Sequence, residues 1–261
     1  MWELYERNLV PIYLEPFARD LLQVAALQPG DQVLDVGCGT GIVARLATAS
    51  LGSSGRVVGV DVSPDMLAVA RAYSGSLPVE WEEGDAHDLP FSDASFDVVL
   101  CQQVLQFLPD RLRALQEMRR VLRPEGRAVV SVWSSIQEAP GFGALAHALA
   151  THVGPESAAA VRERGFGFSD PEALAAALQQ AGFNNISVSK HQRVIHYPSV
   201  EDFVLRYLEV LAALVPEFAA AGPAGAAKVV GEVTATLPDH RLPGGSLSLP
   251  LATNVAVGRA P

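Results

Sequence analysis

The chain has 261 residues, 49% of them apolar and 18% charged, with a formal net charge of −10 and a pI near 5.0. That length admits one large domain or a core with a lid, and the acidic balance argues against nucleic acid, whose capture needs a basic stripe that displaces counterions. No run of about 18 apolar residues occurs, the opening "MWELYERNLV" has no basic region ahead of an apolar core, and two cysteines, Cys38 and Cys101, make no disulfide framework, so the expectation is a cytoplasmic protein with no membrane span and no secretory leader.

Residues 13–27 have the spacing of an amphipathic helix stopped by "QPGD". "QVLDVG" predicts a first strand and "GIVARLATASL" a helix that ends at Gly52. "RVVGVDV" is a second strand. "SPDMLAVARAY" is a helix capped by Ser63, with Pro64 at its first position. "PVEWEE" and "SFDVVLC" are the third and fourth strands. "DRLRALQEMRRVL" is a helix with Asp110 as cap, and "GRAVVSVW" is a fifth strand.

Beyond Trp133 the rhythm changes. Residues 139–165 read as helical and loop-rich. "SDPEALAAALQQAGF" is a helix capped by Ser169 or Asp170, and "NISVSKHQRVIHY" alternates as a strand. Residues 199–236 are alanine-rich and helical, interrupted by Pro216 and "AGPAG", and "SLSLPLATNVAVG" is a last strand. Apolar strands alternating with helices predict a parallel sheet covered on both faces, with ligands at the carboxyl ends of its strands. The chain reads as a single domain over 1–261.

The chemistry concentrates in "VLDVGCGTG", where a strand ends in Asp35 and glycines follow at Gly37, Gly39 and Gly41. A dinucleotide loop would place its third glycine at position 42, which is Ile42, and a phosphate loop would end in Gly-Lys-Ser/Thr. Neither pattern is met. Asp35 beside the loop disfavours an anionic ligand and points to one with a positive end. Asp61 ends the second strand, where a carboxylate accepts from ribose hydroxyls. Asp85, in "GDAHDLPF", can accept from an adenine amino group.

"VLDVGCGTG", "VVGVDVSPDML", "GDAHDLPF", "FDVVLCQQVLQFLPD" and "RVLRPEGRAVVSVW" together resemble the successive motifs of the class I S-adenosylmethionine-dependent methyltransferases. The nearest group is the quinone-biosynthesis type, methyltransferase type 11. The resemblance spans about residues 30–133 and implies a Rossmann-like α/β fold: a doubly wound, seven-stranded, mostly parallel sheet with an antiparallel last strand and helical lid insertions. It implies S-adenosyl-L-methionine as cofactor and S-adenosyl-L-homocysteine as product. The implied cofactor residues are Asp35, Gly37, Cys38, Gly39 and Gly41 at the methionine and ribose, and Asp61 at the ribose. Val62 and Met66 flank the adenine, Asp85 and Ala86 lie at its edge, and Cys101 and Gln102 lie by the methionine amino group. Tyr5 belongs to an N-terminal cover.

The cofactor core is then about 28–133, and the segments about 1–20, 134–165 and 198–240 are left for a lid and the acceptor. Sulfonium chemistry asks for a general base only when the acceptor carries a proton at neutral pH. The candidates are His147, His152, His196, Gln102 and Gln106, each balanced against an ordinary surface, packing or backbone-capping role. No His-x-x-x-His or Cys-x-x-Cys pattern calls for a metal. "CQQV" follows the fourth strand where base-amine methylation would carry Asn/Asp-Pro-Pro-aromatic, which again turns away from nucleic acid. The expected acceptor is a small, partly apolar or aromatic metabolite, methylated at carbon or oxygen by a monomer or homodimer. The alternatives are a cofactor-binding protein without methyl transfer and a methyltransferase acting on protein.

Overall fold

Strands apolar on both faces bury themselves only inside a layered sheet. The computed structural model describes residues 1–261, with the side chains of residues 211, 213 and 214 outside the description. It gathers seven strands: β1 (Gln32–Val36), β2 (Arg56–Asp61), β3 (Val79–Glu83), β4 (Phe96–Gln102), β5 (Leu122–Trp133), β6 (Asn184–Tyr197) and β7 (Leu247–Arg259). Their order is β3-β2-β1-β4-β5-β7-β6. Neighbours from β3 through β5 run parallel, and β7 lies antiparallel between β5 and β6. This is the expected doubly wound sheet. The chain winds outward from β1 to β3 and returns to β4 on the other side of β1. The crevice between β1 and β4 is therefore the switch point, where such sheets bind ligands.

The helices are α1 (Trp2–Asn8), α2 (Glu15–Ala25), α3 (Ile42–Leu51), α4 (Pro64–Ser74), α5 (Arg111–Val121), α6 (Pro140–His152), α7 (Pro155–Ala159), α8 (Pro171–Gln180), α9 (Val200–Leu214) and α10 (Pro216–Thr236). On one sheet face Leu21 of α2 and Val43 of α3 pack on Val33, Leu100 and Val129. On the other, Leu115 and Met118 of α5 and Leu178 of α8 pack on Leu34, Val99 and Val130. Caps act as read: Ser63 Oγ accepts from Met66 N–H at 3.3 Å, and the Asp110 carboxylate accepts from Arg113 N–H at 2.9 Å. Of Ser169 and Asp170, it is Asp170 that caps α8, accepting from Glu172 N–H at 2.9 Å.

Two departures from the sequence reading have local causes. The helix expected over 13–27 is a wide turn over Val10–Leu14 followed by α2, with Pro16 in the first turn, where its missing N–H costs nothing. β5 starts at Leu122, four residues ahead of the expected start, because Leu122 pairs with Phe96 before the register shifts to Val98 opposite Arg127. Between β6 and β7 the interruptions fall where the sequence places them: the chain breaks at Val215, ahead of Pro216, and kinks again in "AGPAG" at Gly222, whose φ of 59° precedes Pro223.

Candidate functional site

β1 delivers the glycine loop to the switch point. Gly37, Gly39 and Gly41 have φ of 66°, 55° and 88°, the left-handed region where only glycine is free of strain. A Cβ on Gly37 would lie 2.5 Å from Val104 Cγ2, and one on Gly41 would run into the Trp81 indole. Gly37 and Cys38 N–H both donate to the Val60 carbonyl, at 2.8 and 3.0 Å. The loop is thus pinned to the end of β2, and α3 begins directly after it.

Two carboxylates face this loop. Asp61 Oδ2 accepts from Gly39 N–H at 2.8 Å, and its Oδ1 accepts from Ser63 N–H at 2.9 Å. Each oxygen keeps a further lone pair, so Asp61 fixes the loop and still presents acceptors for a diol. Asp35 is buried and accepts from Ala44 N–H at 3.1 Å. Burial pushes its carboxyl up to about 8; the Ala44 N–H opposes this, the Asp61 charge adds to it, and Arg45 opposes it.

Val62 is 69% exposed and Met66 half-buried, leaving an open apolar ledge beside Asp61. Asp85 Oδ1 accepts from His87 N–H at 2.9 Å and lies 2.7 Å from His87 Nδ1, and these contacts hold its carboxyl below the usual range. With the Asp85 contact on Nδ1, His87 Nε2 is left buried and unpartnered beside the half-buried Ala86. His87 lies in "GDAHDLPF", the segment that the sequence reading placed at the adenine edge. Cys38 and Cys101 are free and buried, and burial pushes both thiols up.

Above the loop lies α1, a helix the sequence reading did not predict within the segment it left for a lid. Glu6 pairs with Arg45 of α3 at 2.5 Å, Arg45 also donates to the Thr40 carbonyl, and Arg7 donates to the Tyr73 hydroxyl of α4 at 3.2 Å. Tyr5 is half-buried, and its phenol is pushed up by burial, then by the charges of Glu6 and Asp61. α1 is thus a short helix strapped to both helices that flank the glycine loop.

At the end of β4, Gln102 Nε2 donates to the Leu14 carbonyl at 2.9 Å. Gln103 and Gln106 form a chain to Thr253 on β7. The histidine candidates lie elsewhere. His147 Nε2 and His152 Nε2 are 3.8 and 3.4 Å from Glu232 of α10, with His147 61% exposed. His196 is exposed on β6. None of the three is joined by hydrogen bond or ion pair to the loop carboxylates: α6 turns its apolar face inward and its histidines toward α10, and His196 lies on the edge strand β6. His147→Ala and His152→Ala are expected to keep turnover within about twofold of wild type in a methyl-transfer assay, as surface changes cost about 0.5 kcal/mol or less. The surface concavity lined by Asn8, Glu201, Asp202 and Arg206 shares no residue with the glycine loop. We place the site at the loop, where the switch point, the carboxylates and the glycine cradle coincide.

The sheet order and glycine loop define a Rossmann-like methyltransferase fold. A family described as "Methyltransferase domain" matches residues 34–130. The demethylmenaquinone methyltransferase of Staphylococcus epidermidis is 34% identical over 181 residues, 65% of this chain and 75% of that protein. The chain belongs to the S-adenosylmethionine-dependent methyltransferases. The chloroplastic 2-phytyl-1,4-beta-naphthoquinone methyltransferase of Arabidopsis thaliana is 47% identical over 107 residues, 39% of this chain and 41% of that protein, so this match spans less than half of that relative's length. Among solved structures, the phosphoethanolamine N-methyltransferase 2 of Haemonchus contortus in complex with S-adenosyl-L-methionine superposes with a TM-score of 0.62 at 19% identity, covering 99% of this chain and 55% of that one. At that identity the likeness is one of fold. Among the described residues, no helix is long and apolar enough to cross a membrane.

The residues present fit the family's cofactor. At Gly39 the loop is open, a Cβ there meeting only Met66 Sδ at 3.5 Å, and Asp61 presents free acceptor lone pairs beside the open ledge of Val62.

Proposed function

We propose that the chain transfers a methyl group from S-adenosylmethionine to a small, partly apolar or aromatic metabolite, at carbon or oxygen. The observation that carries this reading is an aromatic cluster drawn from the three segments outside the cofactor motifs. Phe142 lies 5.5 Å, centroid to centroid, from Tyr13 and from Tyr207, and 5.4 Å from Phe166. Trp133, at the end of β5, lies 5.3 Å from Phe17 and 6.4 Å from Phe166. Residues 1–20, 134–165 and 198–240 thus meet beside the carboxyl end of the sheet, and we assign them the acceptor side and residues 28–133 the cofactor side. The names of the two relatives, a naphthoquinone and a demethylmenaquinone methyltransferase, suit an aromatic acceptor.

When bound, the cofactor supplies a sulfonium methyl, which is already electrophilic. The chain's part is to position and to exclude water. Asp61 holds the ribose hydroxyls, the glycines allow close backbone approach, and the aromatic cluster orients the acceptor and sheds solvent as charge is neutralised. A net charge of −10 weighs against a nucleic-acid acceptor. Two free cysteines suit a reducing cytoplasm.

Incubation with methyl-labelled cofactor and a panel of small hydroxylated aromatics and quinols tests the reading by product analysis. Label is expected in the aromatic product. Phe166→Ala and Tyr207→Ala are expected to lower turnover while S-adenosylhomocysteine affinity, by calorimetry, stays within a few-fold. Label recovered only in protein or nucleic acid, or in no acceptor, would overturn the proposal.

A further inference from the structure

The polar chain at the end of β4 has a direction. Thr253 Oγ1 lies 2.8 Å from the Val132 carbonyl, which only accepts, so the hydroxyl donates there. Its lone pair then accepts from Gln103 Nε2 at 3.0 Å, which orients the Gln103 amide. The Gln103 carbonyl in turn accepts from Gln106 Nε2 at 3.0 Å. Each link fixes the next amide, and the chain ends on Gln106 Oε1. That oxygen is buried, on a side chain only 5% exposed, and has no donor among the described residues.

An unpartnered buried acceptor is costly and asks for a donor. Its surroundings suggest which. The turn Leu105–Phe107 packs on the turn Ala160–Gly165, which leads into Phe166 of the aromatic cluster. Thr253 pairs across the sheet with Trp133. Gln103, at the head of the chain, is held at a φ of 57° by its own N–H bond to the Ser131 carbonyl. The unfilled oxygen thus belongs to a turn that packs on the segment leading into the aromatic cluster, with its hydrogen-bond chain rooted at Thr253 opposite Trp133.

We propose that Gln106 Oε1 is a specificity-determining anchor that accepts a hydrogen bond from an O–H or N–H borne by the aromatic acceptor. The inference rests on the function proposed above and adds to it that acceptors lacking such a donor are rejected. Polarity is set from the backbone outward, so the site does not adapt by flipping an amide. A matched ligand without the donor leaves the oxygen unpaired in an apolar wall, which discriminates about ten- to a hundred-fold.

The test uses the full chain saturated with S-adenosylhomocysteine and titrated with matched pairs under reductant: 1,4-dihydroxynaphthalene against 1,4-dimethoxynaphthalene, and 1-naphthol against 1-methoxynaphthalene. Wild type is expected to prefer the hydroxyl member of each pair by about tenfold or more. Gln106→Leu is expected to bind the two members about equally. Circular dichroism and S-adenosylhomocysteine affinity report whether each variant is folded. The double change Gln103→Leu/Gln106→Leu removes the orphaned partner as well and is expected to lose the preference too. Preference that persists in both leucine variants, or is absent in wild type, overturns the anchor while leaving the aromatic acceptor standing. If no member of any pair binds cofactor-saturated wild type, the aromatic acceptor falls and the anchor falls with it.

Discussion

Asp61→Ala is expected to lower S-adenosylhomocysteine affinity by about a hundredfold or more and to lower thermal stability as well. Two losses add. Ribose hydroxyls bonded to a carboxylate contribute roughly 1.5–3 kcal/mol, about ten- to a hundred-fold in affinity. The same carboxylate also accepts from Gly39 N–H at 2.8 Å and Ser63 N–H at 2.9 Å. Removing it leaves two backbone donors without their partner at the turn that shapes the site, so the loop itself loosens. Asp61→Asn keeps one acceptor oxygen and is expected to fall between. Calorimetric titration and a thermal melt on the same samples separate the two effects. A variant that melts lower but binds as tightly as wild type would reduce Asp61 to a brace of the loop and remove it from the ribose.

The two roles proposed for Asp61 illustrate what a sequence reveals. A carboxylate closing the second strand of a glycine-loop fold is a local signal, and Asp61 was legible for that reason. The strands were legible because Val33, Leu34 and Val36, and Val57, Val58 and Val60, put apolar side chains on both faces, and α4 because Ser63 and Pro64 mark its start. The Gly39 bond was not legible, since nothing in the spacing says which backbone donor the side chain will meet. Long-range pairings were hidden for the same reason. Arg45 and Glu6 are 39 residues apart, and Gln103 and Thr253 are 150 apart. Their partnership exists only after the sheet has formed. α1 is seven residues long, too short to declare itself by periodicity, and is held by the distant Glu6–Arg45 ion pair rather than by its own propensity. His147 and His152 looked placed for catalysis because α6 leaves β5 at its carboxyl end. Which face of a helix turns inward is decided by packing, and here Leu145 and Leu149 take the core. At β5, "RPEG" reads as a turn, yet the sheet absorbs it in the shift of pairing between Phe96 and Val98.

The last expected result is a pH dependence with one origin. Asp35 is buried, and its carboxyl is pushed up to about 8 by the loss of solvation, against the ordinary value of 3.8 that it regains on unfolding. Between those values the unfolded chain has released the proton and the folded chain has kept it. Stability from this group is therefore complete below the unfolded value and is lost as pH rises through the folded one. The slope is about 1.4 kcal/mol per pH unit while the difference lasts. From pH 5 to 8 the loss approaches about 4 kcal/mol, and the curve flattens above. The carboxyls of Asp97 and Glu117 are held below their usual range, Glu117 mainly by Arg120 and Asp97 by Gln32 N–H and Arg123 despite partial burial. They titrate in acid with the opposite sign and leave the upper window to Asp35. Urea unfolding of wild type and Asp35→Asn across pH 5–9 isolates the group, since every other titration is common to both. The wild-type curve is expected to fall relative to the variant until about pH 8 and then run level. Ligand binding should report the same proton. A cation brought to the loop favours the ionised carboxylate, so titration with S-adenosylmethionine near pH 7 is expected to release up to one proton, read from heats in buffers of different ionisation enthalpy. Asp35→Asn should release none. Parallel unfolding curves for the two proteins, with equal proton release, would show that Asp35 is already ionised in the empty site and that the charge facing the methionine end is permanent.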